Sequence, residues 1–124
     1  MLMTNNEIYT INSNLMDVFK EENNTYYFSA KINFLIQKNK KNIMDAAIHI
    51  EKVRIEIINK YKNEEGQIPN DKIDEVNKEL NDLLNIEQEV TIYKIPFEDL
   101  EGIEFTSAQA NALMFMINDP KEEE

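Results

Sequence analysis

One histidine, no cysteine and two isolated glycines set narrow limits on the chemistry open to this 124-residue chain. His49 follows Asp45 by one helical turn, so the two share a helix face and offer a pair of metal ligands. The next turn presents Lys52 and Val53, neither of which adds a third ligand. His49 is therefore read as a side chain flanking a packing seam. Glu98, Asp99, Glu101 and Glu104 gather acid around Gly102. A calcium loop needs alternating oxygen ligands closed by a bidentate glutamate, and this spacing lacks that order. Nothing in the pattern sets two carboxylates in an apolar cleft, as paired-carboxylate hydrolysis requires. Without cysteine there is no thiolate nucleophile, disulfide or cysteine-based zinc site. No Ser-His-Asp set is legible, and two separated glycines form no phosphate-cradling loop. The expectation is a non-enzymatic protein with no cofactor and no catalytic or metal-binding residue.

The elements that would carry any site are helical. No glycine or proline occurs from Met1 to Glu65; Gly66, Pro69, Pro96, Gly102 and Pro120 all lie beyond. Inside that run isoleucine recurs every seventh residue, at Ile36, Ile43, Ile50 and Ile57. This is the register of a helix packed lengthwise on another helix. Ile32, Ala46 and Val53 occupy companion core positions. Asn39 occupies one too, and a polar residue there fixes register at some cost in stability. A second apolar stripe, Phe34, Met44, Ile48, Ile55 and Ile58, lies on another face of the same helix. A helix apolar on two faces must be covered twice.

The expected fold is mainly α (α+β): a long helix in an antiparallel helical hairpin, two further helices and a small β element. Within one domain spanning 1–124, helix 1 occupies 1–20, opened by the capping box Thr4-Asn5-Asn6-Glu7. A polar connection from Glu21 to Thr25 leads into long helix 2, 27–62, about 50 Å at 1.5 Å per residue. A turn punctuated by Gly66 and Pro69 precedes helix 3, 70–86, with seam residues Ile73, Val76, Leu80 and Leu83. Ile50, Val53 and Ile57 are expected to meet Ile73, Val76 and Leu80. The β element covers 89–105: a strand from Glu89 to Ile95 ended by Pro96, with Ile103–Phe105 and Met1–Met3 as further short strands. Thr106-Ser107-Ala108-Gln109 is a second capping box, opening helix 4 over 106–118, and 119–124 is an acidic tail.

With 42% apolar residues the chain can build a real core, and no stretch approaches the roughly 20 apolar residues of a membrane span. The opening MLMTNNEIY lacks the basic and apolar regions of a signal peptide, which points to synthesis in the cytoplasm. The net charge of −11 is unevenly placed. Residues 1–62 sum to +2, residues 63–86 to −5 and residues 87–124 to −8. Most of this surface repels free nucleic acid, and Lys38-Asn39-Lys40-Lys41 reads as a solvated helix face.

The opening MLMTNNEIY, the middle AKINFLIQKN and the final stretch resemble a loose family of small uncharacterised proteins of tailed bacteriophages. That final stretch runs from IEIINKYKNEEGQIP through EVNKELNDLLNIEQEVTIYKIPFEDLEGIEFTSAQANALMFMI. The Asn-, Lys- and Ile-rich style is similar to the crAss-like phages of gut bacteria. The resemblance implies a gene product without enzymatic activity, a virion structural or assembly component such as a capsid, neck-ring or tail accessory. It carries over no catalytic residue. Its partners would be other virion proteins or copies of itself, with no membrane and no sequence-specific nucleic acid, and its location would be the virion. The alternative is an acidic intracellular inhibitor that occupies a basic site on a host protein. In either case the expected partner-binding residues are Phe34, Met44, Ile48, Ile55 and Ile58, with Met114 and Met116 as an adaptable end.

Overall fold

Thr4 accepts the Glu7 amide on its hydroxyl while the Glu7 carboxylate accepts the Thr4 amide, so both halves of the first capping box are present. The computed structural model describes residues 1–19 and 28–118. The box starts α1 (Asn5–Val18), which buries Ile8 and Leu15. The expected connection Glu21–Thr25 and the start of helix 2 at Tyr27 lie outside the described residues, as does the acidic tail.

Helix α2 (Ala30–Tyr61) begins at Ser29, whose hydroxyl accepts the Ile32 amide. Its 32 residues extend about 48 Å. Ile32, Ile36, Asn39, Ile43, Ala47 and Ile50 are buried, a series of steps of three and four. The isoleucine heptad therefore holds along the first three members. Ile57 is only partly buried, and Ala47 takes the place expected of Ala46. Ile57 lies at the same azimuth as fully buried Asn39, about five turns further on; it stands past Ile50, the last buried residue of α2, near the helix end, where it packs on the core only in part.

After α2 the chain turns through Gly66, at φ +79°, where the amide donates to Asn63 O at 3.0 Å. The Asn63 side chain accepts the amides of Glu65 and Gln67. One 3-10 turn, Asn70–Lys72, leads into α3 (Ile73–Asn85), which folds back on α2 as a helical hairpin. Lys60 Nζ meets Glu79 Oε1 across the pair at 2.7 Å. Val76 and Leu83 are buried, but Ile73 is 42% exposed. The first turn of α3 thus stands beyond the seam in which it was expected.

The β element differs from the sequence expectation. Strand β1 (Leu2–Thr4) runs antiparallel to β2 (Glu87–Glu89), with Met3 opposite Gln88. Strand β3 (Ile95–Pro96) runs parallel to β4 (Ile117–Asn118). The expected strand Glu89–Ile95 is thus split, with ladders only at its two ends. Residues 90–94 instead cross α2 and use its side chains as partners. Asn39 Nδ2 donates to Tyr93 O and Asn39 Oδ1 accepts from Tyr93 N, each at 2.8 Å. Asn42 Nδ2 donates to Thr91 O at 2.9 Å. At the near end, Val90 N donates to Met1 O and Met1 N to Val90 O, at 3.0 and 2.8 Å.

Helix α4 (Ser107–Leu113) opens on the second capping box, with Thr106 and Gln109 in the expected roles. It is shorter than expected. The backbone tightens into a 3-10 turn at Met114–Met116 and leaves helix at Ile117, whose strand pairing with Ile95 replaces further helical bonds. Ile103–Phe105, expected as a strand, joins no ladder; Ile103 and Phe105 pack on the core as partly buried side chains. The core joins Met3, Ile8 and Leu15 to Ile36, Ile43, Ile50, Ile95, Leu113 and Met116, each 2% exposed or less. Among the described residues no helix is long and apolar enough to cross a membrane.

Asn39 is fully buried, so its replacement has a calculable effect. Asn39→Leu leaves the Tyr93 amide and carbonyl without their partner and should cost about 2–4 kcal/mol. Asn42→Ala removes one exposed hydrogen bond and should cost under about 1 kcal/mol. Urea unfolding of both variants checks the ranking.

Candidate protein-contact surface

Helix α2 turns one apolar face inward and leaves another in solvent. Phe34, Met44, Ile48 and Ile55 are between 44% and 60% exposed. Ile58, expected with them, is half-buried. Residues 44, 48 and 55 are separated by steps of four and seven, which keeps them in one row. The buried row of Ile36, Ile43 and Ile50 lies on an adjacent face, roughly 120° round the helix. On α1, Met16 adds a further side chain, 55% exposed, beside Met44 in a shallow groove that Gln37 and Lys41 also line. Phe34 stands apart at the start of the row, with the Lys38 ammonium 5.5 Å from its ring centroid and 4.7 Å from that of Tyr93.

The Met-rich end separates into two roles. Met114 is 64% exposed, as a contact residue must be. Met116 is fully buried, and its sulfur receives Asn39 Nδ2 at 3.4 Å. It belongs to the core and not to a partner surface. In a 3-10 turn successive residues are about 120° apart, so neighbours two positions apart face different surroundings.

A second concave feature, unread in the sequence, lies beyond β3. Phe97, Leu100, Ile103, Phe105, Leu113 and Ile117 line a cleft of about 290 Å³, with Glu101 at its edge. The lining alternates with acid along the chain, Phe97-Glu98-Asp99-Leu100-Glu101-Gly102-Ile103-Glu104-Phe105. Gly102, at φ +80°, makes the reversal that folds this stretch around the cavity. Phe28 stacks on Phe105 at 5.4 Å between centroids, and Lys31 pairs with Asp99 at 2.9 Å, so the cleft is anchored to the start of α2. Glu98, Glu101 and Glu104 are exposed. The acidic alternation was the available signal; without the Gly102 reversal it reads as a solvated turn.

The polar groups elsewhere serve packing. Asp45 pairs with Lys41 at 2.7 Å, and His49 is exposed on the same helix. Among the described residues no group of three or more metal-ligating side chains converges. Tyr9 of α1 donates to Glu51 of α2 at 2.9 Å, and Arg54 chelates the same carboxylate. Burial, then the bond to Glu51, pushes the Tyr9 phenol from its ordinary 10 up to about 12. Arg54, then Tyr9, holds the Glu51 carboxyl below the usual range. The set fastens α1 to α2 and leaves Glu51 ionised.

Comparison with protein-family models, with curated proteins and with solved structures finds no match for the chain.

Because the folded state holds the Tyr9 proton more tightly than the unfolded chain, its contribution is complete below pH 10 and is lost as pH rises towards 12. Tyr9→Phe should therefore flatten the loss of stability over that interval. Thermal melting of parent and variant across it checks the difference; parallel curves would remove Tyr9 from the fastening.

Proposed function

We propose that the protein works by contact with other proteins, as a structural or assembly component of a bacteriophage particle, and carries out no catalysis. The observation that carries this reading is the row Met44, Ile48 and Ile55 on the outer face of α2, with Met16 beside it. Several large apolar side chains grouped on one exposed face are a costly arrangement for an isolated soluble chain, and such patches mark partner surfaces. Phe34 and Met114 extend the contact residues beyond this row. The phage setting rests on the resemblance of the opening, middle and final segments to small tailed-phage proteins.

The charge division supports a directed role. The acidic second half favours an orientation away from packaged DNA or against a basic neighbour.

Mass spectrometry of purified virions tests the proposal. Several copies per particle are expected. A chain present in infected cells and absent from washed particles would overturn the virion role and turn attention to the inhibitor alternative.

A further inference from the structure

We draw no further inference here: the strongest candidate, the apolar cleft of about 290 Å³ that Phe97, Leu100, Ile103, Phe105, Leu113 and Ile117 line beyond β3, is an unpartnered surface, and nothing in the structure shows what covers it.

Discussion

A single buried amide ties the helical and extended parts of this protein together. Asn39 lies in the middle of the α2 seam, and its side chain presents one donor and one acceptor to the backbone of Tyr93. That is the hydrogen-bonding offered by a neighbouring strand, supplied here by a helix. With Asn42 one turn later holding Thr91, the helix edge stands in for a strand across residues 90–94. Everything on the far side of that crossing depends on its register. Ile95 reaches the core and pairs with Ile117 only if Tyr93 is held level with Asn39.

A similar device works at the other end of the molecule. Asn5 is buried, donates to the last-turn carbonyl of Leu83 at 2.8 Å and accepts from Gln88 at 2.7 Å. Its own amide donates to Ile86 O. One residue therefore satisfies the end of α3 and aligns β1 with β2. In both places a buried polar side chain that would be costly alone has its donor and its acceptor both paired, Asn39 with the Tyr93 backbone and Asn5 with the Leu83 carbonyl and the Gln88 side chain, which converts a desolvation penalty into positional specificity. The apolar core supplies the driving force, and the two asparagines decide which arrangement it drives towards.

The helical frame was legible because its signals are local. Capping boxes at Thr4 and Thr106, a run free of glycine and proline, and the recurrence of isoleucine all act within a few turns of chain. Asn39 was legible as a register-setting residue, but its partner was not. Periodicity points to a helix face and cannot say that an extended segment lies across it. The same limit explains the split strand, whose β-branched composition is consistent with a ladder that tertiary packing replaced by side-chain partners. The exposed row of α2 followed from counting faces. The burial of Met116 and the cleft at Phe97 depend on a 3-10 turn and on one positive φ, each set by surroundings far along the chain.

The pairing of β1 with β2 carries a kinetic consequence. It joins residue 3 to residue 88 and closes a very long loop. Closing such a loop carries a large entropic cost that only prior collapse of the intervening helices can reduce. Helices α2 and α3, neighbours in sequence, satisfy that condition first, and the ribbon at the beginning of the chain locks afterwards. On the ribosome the order is enforced, because β2 does not exist until α2 and α3 have been made. Until then the inner seam of α2 has only α1 and α3 to pack against, and the part around Asn39 that Tyr93 and Met116 later cover stays open beside the outer row.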